Sequence, residues 1–215
     1  CTTHFHAWPA PTVRSYFPDT EARAMVTLVP GSCLFVSGFV YVHGIYPDFL
    51  SALRHVSFNL VSVALDCGFT SADYGRWPAF AALFMLFLSC FTVSSGSTGS
   101  GIKMVRTLVL YKQGLRELHR LLHPSIAELI KLGKIAVPNK IAFSVLGFIF
   151  LYVTTIVTMT FVMLLSGMDF LTALSSVVAC INNVGPALGD VGPGGDFCGI
   201  TPFQEWVWLA AMLLA

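Results

Sequence analysis

Two short segments of the chain carry residues suited to binding a desolvated cation. Residues 65–68 read Leu-Asp-Cys-Gly and residues 182–185 read Asn-Asn-Val-Gly, so each segment ends in glycine. Glycine lets the backbone adopt conformations that residues with a Cβ resist. A cation stripped of water needs several oxygens at once, and backbone carbonyls supply them without burying a fixed charge. We therefore predict one ion site made of two extended loops, with the members Leu65, Asp66, Cys67, Gly68, Asn182, Asn183, Val184 and Gly185.

The two segments hold equivalent places in an internal repeat. Asp-Phe-Leu-Ser-Ala-Leu at 48–53 precedes the first segment, and Asp-Phe-Leu-Thr-Ala-Leu at 169–174 precedes the second. The offset between copies is 121 residues at these hexapeptides and 117 at the closing glycines, a difference of about one helical turn. Each copy predicts a short helix that dips into the membrane, at 45–62 and at 168–181. The partial negative charge of a helix C-terminus would then favour a cation at the loop.

Composition places the chain in a membrane. Of its 215 residues, 55% are hydrophobic and 11% are charged, whereas a soluble domain carries about 25% charged residues. Apolar runs long enough for a hydrocarbon core of about 30 Å predict spans at 24–44, at 77–93, at 141–165 and from 203 onward. The six cysteines contain no CxxC pair, which disfavours a disulfide framework or a zinc site. Asp66 is the lone acid at membrane depth, so the chain lacks the paired groups of a membrane enzyme and we expect no enzyme.

A polar, glycine-rich stretch interrupts the second span before apolar sequence resumes at 102–111. Irregular backbone at membrane depth is tolerated where protein or water satisfies it, so the stretch predicts a broken helix that lines a cavity. A helix kink from packed small residues is the alternative. A phosphate-binding loop is disfavoured because Ile102 separates Gly101 from Lys103 and no buried strand precedes it. The stretch comprises Ser94, Ser95, Gly96, Ser97, Thr98, Gly99, Ser100 and Gly101.

Basic residues predict the orientation of the spans. Most Lys and Arg residues fall between Lys103 and Lys140, which places that segment in the cytoplasm and both short helices on the outer side. Leucines at helical spacing predict an amphipathic helix from residue 112, and Pro124 is expected to start a second helix. Lys103 and Arg106 could either act on the broken helix or anchor it at the membrane surface. His119 and His123 lie four residues apart, but a solvated helix face is favoured over a metal site.

Several motifs together resemble a known family. The segments 65–69, 95–106, 114–118 and 182–186 are similar to those of the Trk/Ktr/HKT superfamily of potassium transporters, above all to its bacterial Trk membrane subunits. The resemblance covers essentially the whole chain. It implies an all-α membrane protein with potassium-channel-like repeats of helix, re-entrant pore helix with filter loop, and helix, four of which surround one pore.

The resemblance also implies how this chain divides. Residues 1–23 would be a loop at the end of a preceding repeat, 24–112 the third pore repeat, 113–140 a cytoplasmic helical connection, and 141–215 the fourth repeat, truncated in its last helix. Potassium would be the transported ion, bound by Leu65, Asp66, Cys67, Asn182, Asn183 and Val184. The stretch 94–101, with Lys103 and Arg106, would act as a gating loop.

The remaining expectations concern the setting of the protein. The resemblance implies uptake across the bacterial inner membrane, either passive or by symport, in a multi-pass homodimer. Cytosolic nucleotide-binding regulatory subunits are the expected partners, without an organic cofactor or nucleic acid. One departure is Asp66, because the family often has Thr in this loop. Its carboxylate could turn into hydrogen bonds behind the filter or add a negative charge that tunes affinity. A non-conducting scaffold or a sodium-permeable transporter of the same family are the alternative functions.

Overall fold

The computed structural model describes residues 20–97, 99–122, 130–132, 135–195 and 199–214. Within these residues the fold is helical, with one two-stranded antiparallel hairpin. Short 3₁₀ turns follow each of the two loops, at Tyr74–Arg76 and Gly189–Val191. The elements in chain order are α1 (Thr20–Val42), α2 (Phe49–Ala64), α3 (Ala79–Ser89), α4 (Met104–Leu122), β1 (Ile130–Leu132), β2 (Ile135–Val137), α5 (Asn139–Leu165), α6 (Phe170–Asn182) and α7 (Pro202–Leu213).

Two helices of the described part, α1 and α5, are long and apolar enough to cross a membrane. Their 23 and 27 residues correspond to about 35 and 40 Å at 1.5 Å per residue. In the most apolar 18-residue stretch of each helix, only 28% of α1 and 17% of α5 is buried inside the protein. The exposed side chains of α5 include the aromatic residues Phe143, Phe150 and Phe161. A helix that is apolar on nearly all sides suits lipid rather than water.

The two halves of the chain each bury a helix that is too short to span. Val56 and Leu60 on α2 are fully buried against Val36 of α1 and Met85 of α3. In the second half, Ala173 and Val177 of α6 are fully buried in a cluster with Met163 of α5 and Trp208 of α7. The indole nitrogen of Trp208 also donates to Ser176 Oγ at 3.1 Å. The two short helices are thus held by longer neighbours on both sides.

Near the loops, each half of the chain contributes a side chain to the hydrophobic core of the other half. Val184, which follows α6, is buried in the cluster built by α1, α2 and α3. Ile102, which precedes α4, is buried in the cluster of α5, α6 and α7. Because each half supplies side chains to the core of the other, the relative position of the two loops is set by packing.

The sequence-based predictions of the helices are confirmed for the short pair, at Phe49–Ala64 and Phe170–Asn182. The second span was predicted too long, since α3 has 11 residues and ends at Ser89. Helix returns at Met104 and continues without a break to Leu122, so the amphipathic segment expected from residue 112 is the outer part of α4.

The prediction of a second helix starting at Pro124 is wrong for the part of that region that the structure describes. β1 and β2 occupy it instead, with Ile130 paired to Val137 and Leu132 paired to Ile135. Alternating β-branched residues favour a strand over a helix, and the leucine periodicity used for the prediction ends with α4. The start of the expected helix, at 123–129, lies outside the described residues.

Candidate functional site

The two glycine-ended loops lie in direct contact. α2 ends at Ala64 and α6 ends at Asn182, so both loops leave the C-terminal end of a short helix. An atom placed as Cβ on Gly68 would lie 2.5 Å from the carbonyl oxygen of Val184. That separation is far inside van der Waals contact, so a side chain at 68 is excluded by the backbone of the other loop. The predicted juxtaposition of the two loops is therefore a property of the fold.

The two loops share one backbone pattern. Asp66 has φ 54° and Gly68 has φ +75°, while Asn183 has φ 56° and Gly185 has φ +100°. Positive φ thus occurs at the second and fourth positions of both loops, and both pairs are 117 residues apart. Residues other than glycine adopt positive φ rarely, and Asp and Asn do so most readily. This requirement accounts for an acidic residue at 66, which the sequence motifs alone left unexplained.

The carboxylate of Asp66 is turned away from the open side of the loops. Each of its oxygens exposes less than 1 Å² and has no hydrogen-bond partner among the described residues. The group packs against the glycine-rich stretch, since a Cβ on Gly99 would lie 2.9 Å from Asp66 Oδ2. The hydrogen bonds expected behind the filter are therefore not found there. A buried carboxylate without partners reduces stability.

Removing this charge should stabilise the protein. We expect Asp66→Asn in the full-length protein to raise the free energy of unfolding by about 1–3 kcal/mol, because the unpaired charge is lost while the side-chain shape is kept. Asn also tolerates positive φ, as Asn183 does at the equivalent position. Thermal melting of the detergent-solubilised protein measures the effect, with Asp48→Asn, an exposed carboxylate, as the control. A lower melting temperature for Asp66→Asn would show that the carboxylate has a stabilising partner.

Asn182 is a structural bridge that the sequence did not predict. Its side chain is fully buried; Tyr152 Oη donates to Asn182 Oδ1 at 2.7 Å, and Asn182 Nδ2 donates to Ser89 Oγ at 3.2 Å. Nδ2 also lies 3.4 Å from Cys90 Sγ. One amide therefore joins α5, the end of α3 and the second loop. Its side chain is committed to these bonds, so only its main chain is free to contribute to the predicted ion site.

The glycine-rich stretch forms a closed loop against both glycine-ended loops. Its neck is joined by backbone bonds from Ile102 N to Cys90 O at 3.0 Å and from Met104 N to Val93 O at 2.8 Å. Asn183 Nδ2 donates to Ser100 Oγ at 2.7 Å. Together with the contact of Gly99 on Asp66, these bonds tie the stretch to each loop. Thr98 lies outside the described residues.

The two basic residues after the stretch differ in their surroundings. The guanidinium of Arg106 lies 4.1 Å from the ring centroid of Phe148 on α5, a cation–π contact. Lys103 adopts φ 58° at the turn into α4. Arg106 is therefore anchored to α5. His119 lies on α4 and His123 lies outside the described residues; no group of three or more His, Cys, Asp or Glu side chains that could hold a metal occurs in the described part.

Comparisons with known proteins agree with this architecture. Residues 16–214 match the TrkH family, described as cation transport protein. The chain is 39% identical over 212 residues to the Trk system potassium uptake protein TrkH of Halomonas elongata, covering 98% of this chain and 43% of that protein. It is 34% identical over 210 residues to TrkH of Escherichia coli K12, with the same coverage.

A solved structure shows the same fold. The crystal structure of the potassium transporter TrkH from Vibrio parahaemolyticus superposes with a TM-score of 0.90 at 34% identity, covering 99% of this chain and 45% of that one. The chain spans less than half the length of these relatives. The family match, the identities and the fold all agree with the resemblance seen in the sequence motifs, and the chain belongs to the TrkH family of cation transport proteins.

Proposed function

We propose that this chain forms half of a potassium uptake pore in the bacterial inner membrane. The observation that carries the proposal is the contact of two glycine-ended loops with the same pattern of positive φ, each at the C-terminus of a short buried helix. Relatives that match almost the entire chain are named Trk potassium uptake proteins. The fold supports the proposal, because irregular backbone at membrane depth is tolerated where it lines an aqueous path.

The proposed chemistry is exchange of water for backbone oxygens. Potassium would lose part of its hydration shell to the carbonyls of Leu65, Asp66, Cys67, Asn182, Asn183 and Val184. The C-terminal ends of α2 and α6 would add partial negative charge at the ion. The carboxylate of Asp66 takes no part in this coordination, since it packs on Gly99. Fixed charge is thereby kept out of the ion's path, which favours release as well as entry.

The site is open on one side, which is where further repeats would close it. Leu65 and Cys67 of the first loop and Asn183 and Gly185 of the second are exposed. Two loops cannot surround an ion, and the relatives are more than twice as long as this chain. We therefore place two further repeats of the full-length protein against this exposed face, as in the four-repeat arrangement.

Carboxylates mark the proposed outer entrance. A cavity of about 910 Å³ is lined by Asp73, Asp169 and Asp190 together with several glycines. Asp73 is paired with Arg76 at 3.1 Å, whereas Asp169 caps α6 by accepting from Leu171 N at 3.1 Å. Negative charge around an entrance raises the local concentration of cations. The cavity lies at the N-terminal end of α6. This position agrees with an outer location, on the side of the membrane opposite the basic segment 103–140.

The glycine-rich loop 94–101 would serve as the gate, with Lys103 and Arg106 at its inner end. It lies against both filter loops through Gly99 and Ser100, so its displacement would change the path next to the filter. In the proposed assembly the full-length protein is a homodimer that takes up potassium either passively or by symport. Cytosolic nucleotide-binding subunits would act on the cytoplasmic segment that contains α4.

Ion flux tests the proposal directly. The full-length protein, reconstituted in proteoliposomes, should take up Rb⁺ and exclude Na⁺. Na⁺ uptake equal to Rb⁺ uptake would support the sodium-permeable alternative. The absence of uptake of both ions, from protein that is folded by thermal melting, would support a non-conducting scaffold.

Cys67 offers a chemical test of the path. Its thiol is exposed on the filter loop, whereas Cys33, Cys90 and Cys180 are buried. A methanethiosulfonate with a quaternary ammonium group should react at Cys67 and abolish most Rb⁺ uptake, because it places a fixed cation beside the carbonyls. The Cys67→Ser variant is the control. Its Rb⁺ uptake should be the same with and without the reagent. Wild-type uptake that survives complete labelling of Cys67 would remove this loop from the ion path.

A further inference from the structure

A carboxylate of α1 holds the tip of the gating loop. Ser95 N donates to Glu21 Oε1 at 2.6 Å, and Ser95 Oγ donates to Glu21 Oε2 at 2.7 Å. Both bonds involve an ionised acceptor, which makes them stronger than bonds between neutral groups. The two residues are 74 positions apart, so the contact depends on the packing of α1 beside the loop and not on chain proximity.

The rest of the loop is fixed in a different way. Its neck is closed by the backbone bonds Ile102 N to Cys90 O and Met104 N to Val93 O, and its end is bound to the second filter loop through Ser100. Gly101, between these anchors, has φ +90°, a conformation that favours glycine. The neck is therefore anchored to backbone, while the tip is held by the partly exposed side chain of Glu21. Exposed charged contacts are readily exchanged for water.

We propose that Glu21 is a positioning residue that latches the gating loop in its closed position. This inference rests on the gating role proposed above for residues 94–101. When Glu21 releases Ser95, the tip swings about the neck at Gly101 while the filter contacts of Ser100 remain. Any partner or ion that shifts the inner end of α1 would then open the gate, because the latch joins that helix directly to the tip.

Resting ion flux tests the latch. In proteoliposomes of the full-length protein without added regulator, Glu21→Gln should raise Rb⁺ uptake about three- to tenfold, since it removes the charge that strengthens both bonds. Ser95→Ala loses one of the two bonds and should give a smaller rise. Glu205→Gln, which neutralises an exposed carboxylate at the start of α7, is the matched control and should leave uptake unchanged. Uptake by Glu21→Gln at or below the wild-type value overturns the latch.

A second measurement does not depend on conduction. Ser97 is exposed at the tip, so Ser97→Cys can be labelled with a membrane-impermeant maleimide. The labelling rate of the Ser97→Cys variant should rise several-fold when Glu21→Gln is added. Equal labelling rates with and without Glu21→Gln would overturn the latch. Faster labelling in a protein that takes up no Rb⁺ in any variant would support the latch and overturn the proposed potassium conduction.

A cross-link covers the case in which Glu21→Gln destabilises the chain. Glu21→Cys combined with Ser95→Cys should be cross-linked by a short bifunctional methanethiosulfonate, whose spacer replaces the reach lost when Glu21 is shortened to Cys. A reducing agent should reverse the resulting loss of Rb⁺ uptake. The matched pair Glu205→Cys with Ser95→Cys should not cross-link. Failure of the 21–95 pair to cross-link overturns the latch, because the two side chains would then not be in contact.

Discussion

Gly68→Ala in the full-length protein is expected to lower Rb⁺ uptake at least roughly tenfold and to weaken its preference over Na⁺. Two effects act together at this position. The φ of +75° is strained for any residue with a Cβ, and that Cβ would meet the Val184 carbonyl at 2.5 Å. Backbone strain costs about 1–3 kcal/mol, and about 1.4 kcal/mol corresponds to a tenfold rate. Parallel uptake of Rb⁺ and Na⁺ in proteoliposomes gives both quantities.

Two other glycines separate strain from contact. Gly185 has φ +100°, but a Cβ added there would meet no atom of the described residues within 4 Å, so Gly185→Ala should reduce selectivity less than Gly68→Ala. Gly147 lies inside α5 with open space around it and ordinary φ. Gly147→Ala is therefore the control and should leave uptake unchanged. Normal uptake and selectivity in Gly68→Ala would show that the two loops do not form the filter.

Asn182→Leu is expected to destabilise the full-length protein by about 2–4 kcal/mol, because the apolar side chain leaves buried Tyr152 Oη and Ser89 Oγ without their amide partner. The relatives are more than twice as long as this chain. At about 2 cal/mol/K per residue, each kcal/mol then corresponds to roughly 1 °C, so the melting temperature should fall by about 2–4 °C. Uptake should fall as well, because Asn182 is the first residue of the loop whose carbonyls are proposed to bind the ion. Thermal melting in detergent and Rb⁺ uptake measure the two consequences.

The partner variant makes this test specific. Tyr152→Phe removes the hydroxyl that donates to Asn182. In the double variant Asn182→Leu with Tyr152→Phe, both partners of this hydrogen bond are gone, so fewer buried polar groups stay unpaired than in the two single variants taken together. The double variant should therefore be less destabilised than additivity predicts. Strict additivity would mean that the two side chains do not interact. An Asn182→Leu melting temperature equal to wild type would show that the bridge contributes nothing to stability.

The expectations that depended on local sequence were largely confirmed. Long apolar runs predicted α1 and α5, and the repeated hexapeptides at 48–53 and 169–174 predicted the short helices that follow. Family membership followed from motifs that are contiguous in the chain. One error arose because the helical pattern of α4 was assumed to continue. The structure has the strands β1 and β2 in place of the expected second helix. Apolar runs also do not show where a helix ends, which is why α3 was predicted too long.

The nature of Asp66 became clear only from the backbone and its surroundings. Its sequence motif suggested an atypical filter residue whose carboxylate had two possible uses. The structure shows a position that needs positive φ, as at Asn183, and a carboxylate packed on Gly99. The shared 117-residue offset of Asp66 and Asn183 was a signal in the sequence, but its meaning depends on φ, which the sequence does not display.

The membrane class, the repeat and the two glycine-ended loops could be predicted from the residue order, because hydropathy, period and glycine positions act over short stretches of chain. The repeat predicted that the two loops meet, but the individual atoms in contact between distant residues are known only from the packed helices. The contact of Gly68 with Val184, the bridge at Asn182 and the bond of Ser95 to Glu21 join residues 74 or more positions apart or on different helices. Such contacts follow from how whole helices pack, and no local pattern of residues specifies them.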